Sequence, residues 1–214
     1  MTSSHISISP AILYFGTPVA LISTVDERGR ANLMPMSSIF WLAQTAVIGL
    51  GASSQTAMNL NSTGECVINL PSSNQVDAVD RLALTTGRDP VPARKAAAGY
   101  RHEADKFSLA GLRPLPSETV VAPRAAERPV NLEGHLVDCH PLERANPQRA
   151  GNISIFEIKI SRVHVHQDIR LAGTENRIDP DRWRPLLMSF QRFYGPGQEL
   201  RPSRLASIDE EWYR

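Results

Sequence analysis

Residues 29–70 read GRANLMPMSSIFWLAQTAVIGLGASSQTAMNLNSTGECVINL, and this stretch decides the fold of the chain. Two apolar runs that favour strands each end in a cluster of small hydroxyl residues, PMSS at 35–38 and ASSQT at 52–56. The second cluster leads into a short helical segment, and another strand-like run follows. Hydroxyl groups and free backbone amides at such positions suit a phosphate-bearing ligand. The stretch has no obvious pair of nucleophile and base, so any chemistry belongs to a bound cofactor.

The residues around these clusters predict a series of antiparallel strands. Residues 17–25 are rich in β-branched side chains and predict a strand. The sequence DERGR at 26–30 predicts a turn, with 31–36 as the returning partner. Residues 46–51 and 65–70 predict two further strands, which flank the helical segment.

The helical segment itself carries the first candidate binding site. Ser53 or Ser54 is a natural N-cap for a helix that runs to about residue 62 and ends at Gly64. Hydroxyl groups, free N–H groups and the helix dipole together favour an anion at this end. The same residue types also serve as ordinary caps, so both interpretations stay open. Asn59, one helical turn further, either contacts the ligand or faces solvent.

The second half of the chain predicts more strands around a long irregular region. Residues 74–98 have a polar helical pattern, which Pro90 interrupts. Residues 100–128 predict a loop region, which at this length is usually functional or packed on a partner. Residues 129–137 and 153–165 predict two strands, and the latter is the most β-rich stretch of the chain.

These elements predict a mostly β fold with peripheral helices, a barrel of antiparallel strands, because strand–helix–strand alternation does not recur. We expect residues 1–170 to form this domain. Residues 171–214 are predicted to be a helical extension that packs on the barrel or on a partner subunit. Within it, Trp183, Leu187 and Phe190 have helical spacing, which predicts a helix over 181–194.

Composition excludes several functional classes. The 214 residues include 23 Lys plus Arg against 22 Asp plus Glu, so neither a nucleic-acid partner nor an acidic one is expected. No apolar run approaches the length that a membrane helix needs, and the N-terminal sequence does not predict a signal peptide. Cys66, in an apolar run, and Cys139 are expected to remain reduced in the cytoplasm.

Other chemistries have weaker support. His164 and His166 share one face of a strand, a spacing that metal sites use, but no third ligand follows, and we expect no metal. Ser37 and Ser38 lack the glycine-flanked turn of hydrolase nucleophiles. Lys106 in EADKFSLAGL either faces solvent or pairs with a ligand phosphate or ring edge.

Several segments in order give the chain a wider resemblance. TPVALISTVDERGRANLMPMSSIF, ASSQTAMNL and STGECVINLP are followed by TTGRDPVP, DKF and AGL. Together these segments resemble the flavin reductase-like family with the FMN-binding split-barrel fold, an antiparallel, Greek-key-like barrel. The resemblance covers residues 11–195, and its order and spacing are more specific than any single motif.

The resemblance implies a homodimer with FMN near the subunit interface. In such proteins the loop after the second strand lies against the flavin ring, and the segment before the short helix holds the phosphate. The chain has Gln55 where many relatives have Arg or Lys, so Lys106 is expected to supply the cation. The implied FMN-binding residues are Asn32, Pro35, Met36, Ser37, Ser38, Ala52, Ser53, Ser54, Gln55, Thr56, Asn59 and Lys106.

The implied function is that of an NAD(P)H:flavin reductase, with Ser37 and Ser38 as donors to the flavin ring. Reduced flavin would serve a partner monooxygenase or a small-molecule acceptor. Residues 150–153 read AGNI, whereas many flavin reductases have a Gly-Asp-His element there. An FMN-binding electron-transfer protein, or a module for another cofactor such as haem, therefore stays open.

Overall fold

The computed structural model describes residues 4–213, and most of its regular structure is β. The strands are β1 Phe15–Pro18, β2 Ala20–Val25, β3 Ala31–Met36, β4 Ile39–Leu42, β5 Thr45–Gly51, β6 Glu65–Leu70, β7 Thr85–Thr86, β8 Arg101–His102, β9 Pro114–Leu115, β10 Arg124–Ala125, β11 Val130–Pro141, β12 Ile153–Val165, β13 Leu187–Ser189 and β14 Arg192–Tyr194. The α-helices are α1 Gln55–Thr63, α2 Val76–Asp80, α3 Ala93–Ala97 and α4 Lys106–Ala110. Within this part of the chain, no helix is long and apolar enough to cross a membrane.

One antiparallel sheet of seven strands organises the molecule, in the order β3-β2-β6-β11-β12-β5-β4. Its two outermost strands, β3 and β4, are joined by only Ser37 and Ser38. Because two residues span so short a distance, the sheet must curl until its two ends meet. The hydrogen-bond ladder does not close between β3 and β4, so the fold is a split barrel. Ser37 and Ser38 lie at the split.

Helix α1 is held in place by the core of the barrel. Ala57 and Leu60 on α1 are fully buried with Ile22, Ile48 and Phe156 from the surrounding strands. Burying large aliphatic and aromatic side chains stabilises each contact by about 1.5–3 kcal/mol relative to exposure. The packing fixes the direction of α1 and therefore the position of its first turn.

The strand predictions around α1 are confirmed, with one difference. Residues 17–25 form two strands, β1 and β2, rather than one. Between them Val19 donates its N–H to the carbonyl of Leu186 at 2.9 Å, outside the main sheet. The predicted helix is also confirmed: Ser54 is the N-cap, and Gly64 ends α1 in the left-handed conformation.

The helix predicted over 181–194 is wrong. The segment forms a β-hairpin, β13–β14, whose first strand pairs with β1. Pro185 lacks the N–H that a helix interior needs, and the backbone of Leu186 bonds instead to Pro71 and Val19. Further along the extension, short 3-10 turns span Arg204–Ser207 and Glu210–Tyr213. The division of the chain near residue 170 stays a prediction.

The region predicted to be irregular, 100–128, contains short elements and is anchored by buried polar side chains. Asn69 accepts hydrogen bonds from the Ala125 N–H at 2.8 Å and from the Asn131 amide at 3.0 Å. The Glu133 carboxylate accepts from the backbone N–H groups of Glu118 and Thr119 at 2.9 and 2.6 Å. A long region with only short helices and strands of its own thus acquires a fixed path over the barrel.

Candidate functional site

The first turn of α1 presents polar groups at a buried position. Ser54 caps the helix by accepting a hydrogen bond from the Ala57 N–H at 3.2 Å. The N–H groups of Gln55 and Thr56 have no intrahelical acceptor, as in any first turn. They add a partial positive charge to this end of a nine-residue helix. An anion placed here would accept from both groups.

A chain of side-chain amides and hydroxyls fixes the residues of this turn. Asn32 on β3 donates to the Thr56 hydroxyl at 2.9 Å, and Asn59 donates to the Thr24 hydroxyl at 2.9 Å. Gln55 donates to the Asn59 amide oxygen at 2.7 Å. Thr56 and Asn59 are almost fully buried. Because Thr56 accepts from Asn32, its own hydroxyl proton remains available to a ligand.

One acceptor in this cluster has no partner. The Oδ1 atom of Asn32 is buried and makes no hydrogen bond with any residue between 4 and 213. A buried unpaired acceptor costs about 1–3 kcal/mol, so a ligand donor or a bound water is expected there. Gly87 approaches the same atom so closely that a Cβ at this position would lie 2.5 Å from it. Glycine therefore keeps the wall of the site open.

These groups line a polar cavity of about 250 Å³. Asn32, Gln55 and Asn59 form one side of it. The other side carries both acidic and basic groups, so the cavity is not uniformly charged. The remaining lining residues are Asp26, Arg30, Ala31, Gly87, Asp89, His102, Glu103 and Ala104.

Three cations gather beside this cavity. Lys106, the first residue of α4, is 4% exposed. Burial and the charge of Lys95 lower the pKa of Lys106 to about 8, although Glu103 partly opposes this. Burial and the charge of Arg88 likewise lower the pKa of Lys95. Mutual repulsion among one buried and two half-buried cations favours binding of an anion.

Arg88 connects this group of cations to α1. Its guanidinium contacts the Met58 sulfur, and its backbone N–H donates to the Thr86 hydroxyl at 3.2 Å. The Arg88 Nε is buried and has no hydrogen-bond partner within the described chain. Arg88 therefore has a donor available at the same helix turn that offers free N–H groups.

A second, larger cavity of about 500 Å³ opens at the split of the barrel. Its lining is mostly apolar, and the loop residues Pro35, Met36, Ser37 and Ser38 form one part of it. The hairpin β13–β14, near the C-terminal end of the chain, forms another part of the lining and includes Gln191. The other lining residues are Tyr14, Val19, Met34, Gly49, Leu50, Gly51, Val79, Asp80, Ala83, Met188 and Phe193.

The segment between β5 and α1 links the two cavities. Gly51 lines the apolar cavity and Gln55 lines the polar one, only four residues further along the chain. Of the predicted residues between them, Ala52 donates its N–H to the Asn152 carbonyl at 3.0 Å and Ser53 is exposed. Ala52, Ser53 and Ser54 line neither cavity. An elongated ligand with an anionic end and a flat apolar end would follow this segment.

The predicted site residues therefore fall into two groups. Asn32, Gln55 and Asn59 meet in the polar cavity, with Thr56 in hydrogen-bond contact. Lys106 lies behind this group, next to Glu103, and does not line the cavity itself. The hydroxyl loop of residues 35–38 belongs to the apolar cavity, where the Ser38 hydroxyl bonds to the Tyr14 hydroxyl at 3.0 Å.

Sequence reasoning missed two parts of the site. Gly87, Arg88 and Lys95 come from TTGRDPVPARK, whose glycine and arginine were an available signal for an anion-binding loop. Tyr14 and the residues 188–193 come from the two ends of the chain, and no local pattern connects them. Only the pairing of β1 with β13 brings these ends together.

His164, on β12, and His166, just after this strand, have structural hydrogen-bond partners. His164 bonds to the buried Glu133 carboxylate at 2.7 Å. Burial alone would raise the pKa of Glu133, but hydrogen bonds from Glu118, Thr119 and His164 lower it to about 2. His166 bonds instead to the Ala126 carbonyl at 3.1 Å. These contacts fix the loop that covers β11.

The two cavities, bordered by Gly51 and Gln55 of one segment, fit a phosphate ester with a flat ring system, of which FMN is an example. The unpaired donors of the first α1 turn and of Arg88 suit the phosphate, and the cations beside them suit its charge. The apolar cavity suits the ring, with hydroxyl and backbone groups of residues 35–38 at its edge.

The sequence and the fold of this chain are both similar to those of known proteins. The model of the family described as "Flavin reductase like domain" matches residues 12–196. The uncharacterized protein YdfE of Bacillus subtilis is 33% identical over 193 residues, which is 90% of each chain. Flavoredoxin of Desulfovibrio vulgaris (Miyazaki F) is 22% identical, with a TM-score of 0.75 over 95% of this chain and 100% of its own. Nitrilotriacetate monooxygenase component B from Bacillus cereus is 19% identical, with a TM-score of 0.73 over 94% and 100%.

Proposed function

Because the chain belongs to the family of flavin reductase-like domains, we propose that it binds FMN and acts as an NAD(P)H:flavin reductase. Reduced flavin would then serve a partner monooxygenase or a small-molecule acceptor. The observation that carries the proposal is the pair of cavities bordered by one segment of the chain, a polar one at Gln55 with cations beside it and a mostly apolar one at Gly51.

In this proposal the first turn of α1 holds the phosphate. The N–H groups of Gln55 and Thr56 and the Thr56 hydroxyl donate to it, and Arg88 and Lys106 supply positive charge. Two cations and a helix N-terminus replace the single Arg or Lys that is expected at the position of Gln55.

The flavin ring would occupy the apolar cavity. When bound, FMN supplies the hydride acceptor and the electron carrier, which no side chain of this protein offers. Pro35 and Met36 exclude water from one side of the cavity. The Ser37 and Ser38 hydroxyls are available as donors to the ring edge that gains negative charge on reduction.

The test is anaerobic reduction of the FMN-loaded protein. We expect NADH or NADPH to bleach the visible absorbance of bound flavin, with one nucleotide preferred. Dithionite reduction in a parallel sample serves as the control, since it bypasses nucleotide binding. Bleaching by dithionite alone would exclude reductase activity but leave flavin binding intact. Absence of FMN binding, or the spectrum of haem in the purified protein, would reject the proposal entirely.

A second candidate function is electron transfer through bound FMN without use of NAD(P)H. The segment AGNI at 150–153 favours it, because it lacks the histidine of many flavin reductases and lies next to the cofactor segment. There the Asn152 carbonyl accepts from the Ala52 N–H. The similarity to flavoredoxin also supports this candidate. The test above separates the two functions, because an electron-transfer protein would be reduced by dithionite but not by NADH or NADPH.

We further propose a cytoplasmic homodimer. Phe40 and Leu42, on the outermost strand β4, are 52% and 65% exposed, which favours coverage by a second copy. Cys66 and Cys139 are both free, in agreement with a reducing compartment. Light scattering would measure the oligomeric state, and a Phe40→Glu variant should shift a dimer toward monomer without loss of fold.

A further inference from the structure

The hairpin β13–β14 has an unusual turn. Phe190 and Gln191 form its two-residue loop, with φ angles of 45° and 65°. Two-residue hairpin loops require positive φ at both positions, for which Asn and Gly are favoured. Neither Phe nor Gln is favoured there, because a Cβ clashes in this conformation. The turn is therefore strained at both residues.

Contacts with the N-terminal segment maintain this strained turn. The Phe190 ring packs edge-on against Phe15, with ring centroids 4.8 Å apart. The Phe190 N–H donates to the Tyr14 carbonyl at 3.0 Å, and β13 pairs with β1. Strained residues persist where the surrounding structure fixes them, and they concentrate at functional sites.

The strained turn presents polar and apolar groups to the apolar cavity. Gln191, Met188 and Phe193 all line it, and Tyr14 lines it at the position where its hydroxyl bonds to Ser38. The Gln191 amide makes no hydrogen bond with another residue of the described chain. A donor and an acceptor on one side chain are thus available at the wall of a cavity that otherwise suits a ring.

We propose that Gln191 is a positioning residue that binds the carboxamide of the nicotinamide ring of NAD(P)H, with the hairpin of residues 187–194 as the wall of its subsite. This inference rests on the proposed reductase function. An amide side chain offers one acceptor and two donor hydrogens, which match the groups of a carboxamide. Asp80, the one carboxylate that lines this cavity, opposes aromatic acids and so favours a neutral ring.

The hairpin also explains why the extension belongs to the site. Without β13 and β14, the cavity would lose Met188, Gln191 and Phe193 and would open to solvent along β1. The strained conformation of Phe190 and Gln191 places Gln191, an exposed residue, at the wall of the cavity at the expense of stability. Loss of the amide should therefore weaken nucleotide binding while relief of the strain stabilises the fold.

The experiment compares Gln191→Gly and Gln191→Asn with the wild-type holoprotein. Binding of the non-reducing analogue tetrahydro-NADH to the oxidised protein is measured by calorimetry, together with FMN affinity and thermal unfolding. For Gln191→Gly we expect about tenfold weaker analogue binding, the loss typical of one hydrogen bond, and FMN affinity within about twofold of wild type. Its melting temperature should rise, because glycine adopts positive φ without strain.

Gln191→Asn retains an amide on a residue that tolerates this conformation, so its analogue binding should lie between wild type and Gln191→Gly. The matched control is Ala43→Gly, another turn residue at φ 48°, which lies outside this cavity. It should relieve similar strain without any change in analogue binding.

Three outcomes have distinct meanings. Wild-type binding of the analogue by Gln191→Gly overturns the inference and leaves the reductase function intact, provided that NAD(P)H still bleaches the flavin. Weakened binding accompanied by an equal loss of FMN affinity overturns the positioning role as well, since the change would then be structural. A wild-type protein that neither binds the analogue nor is bleached by NAD(P)H overturns the proposed function and the inference together.

Discussion

The polar cavity and the apolar cavity are built in opposite ways. The polar one is built around Asn32, Thr56 and Asn59, which are buried on elements packed against the barrel core. Asn32 bonds to Thr56, and Asn59 bonds to Thr24 and Gln55. The apolar one is closed by two chain ends, three-residue strands and a strained turn. Polar groups held by hydrogen bonds on packed elements suit a ligand that stays bound, whereas a wall made of short elements suits a ligand that enters and leaves.

The comparison predicts that changes in the two cavities separate cofactor binding from co-substrate binding. Substitutions near α1 should affect FMN affinity, and substitutions in the hairpin should affect nucleotide binding. The largest effect is expected at Thr56, because a substitution there can introduce a negative charge at a buried position.

Thr56→Glu should abolish FMN binding under ordinary assay conditions. Two unit charges of the same sign 4 Å apart near a protein surface repel by about 4 kcal/mol, which corresponds to a loss of more than about 100-fold in affinity. Fluorescence titration of FMN with the apoprotein measures the dissociation constant. Thr56→Ser, which keeps the hydroxyl, is the matched control and should stay within a few fold of wild type.

Because Thr56 is 1% exposed, the glutamate variant also needs a test of folding. Circular dichroism and thermal unfolding of the apoprotein provide it. If the variant unfolds, Thr56→Val leaves the Asn32 donor unpaired without adding charge and should still reduce FMN affinity. Unchanged FMN affinity in a folded Thr56→Glu protein would contradict the phosphate position and reduce the polar cavity to a structural feature.

Lys106→Met should have the next largest effect. It should weaken FMN binding and increase the stability of the apoprotein. Removal of a charged hydrogen-bond donor costs about 1.5–3 kcal/mol, so FMN should bind about 10- to 100-fold more weakly. The apoprotein should become more stable by on the order of 1–3 kcal/mol at neutral pH, because a desolvated ammonium is no longer buried. Titration and chemical unfolding measure the two changes, and a loss of both would indicate a merely structural lysine.

The lowered pKa of Lys106 also predicts how the polar cavity responds to pH. In the apoprotein its pKa is about 8, against the ordinary 10.5 of an unfolded chain, so the penalty for burying its charge is present below pH 8 and disappears between pH 8 and 10.5. Apoprotein stability should therefore rise across this range, as far as this group determines it. A bound phosphate raises the pKa of Lys106, so FMN affinity should fall over the same range.

The control for this pH dependence is Lys106→Arg. Arginine keeps its charge throughout the range, so the decline of FMN affinity above pH 8 should be much smaller in this variant. An identical decline in both proteins would assign the effect to another group, with Lys95 as the first candidate because its pKa is lowered by the same burial and repulsion.

The contrast between the cavities also shows what sequence could predict. Strand periodicity, the Ser54 cap and Gly64 determine α1 and its flanking strands locally, so this part of the fold and the polar residues of α1 followed from the sequence. For Lys106 the residues left solvent exposure and pairing with a ligand both open, and the resemblance to a family favoured the second. Its partners Arg88 and Lys95 lie on a segment whose polar helical pattern is interrupted by Pro90, so periodicity does not place them at the site.

The apolar cavity could not be derived in the same way, and the reason is physical. The spacing of Trp183, Leu187 and Phe190 fits a helix, but Leu186 is buried against the outer face of the barrel and β13 finds a partner in β1, about 170 residues away. Long-range pairing outweighs local propensity there. Local sequence periodicity cannot indicate that β13 pairs with β1, because the two strands are so far apart in the chain.

The smallest expected effect tests whether the two cavities are independent. Phe15→Ala removes the edge-on contact with Phe190, which for an exposed aromatic pair is worth about 0.5–1.5 kcal/mol. We expect a slightly lower melting temperature and about two- to fivefold weaker binding of a nicotinamide analogue, because the strained turn loses one of its supports. FMN affinity should stay unchanged, since Phe15 does not line the polar cavity. A tenfold loss of FMN affinity would instead show that the hairpin supports the cofactor directly, and the two cavities would then have to be treated as one site.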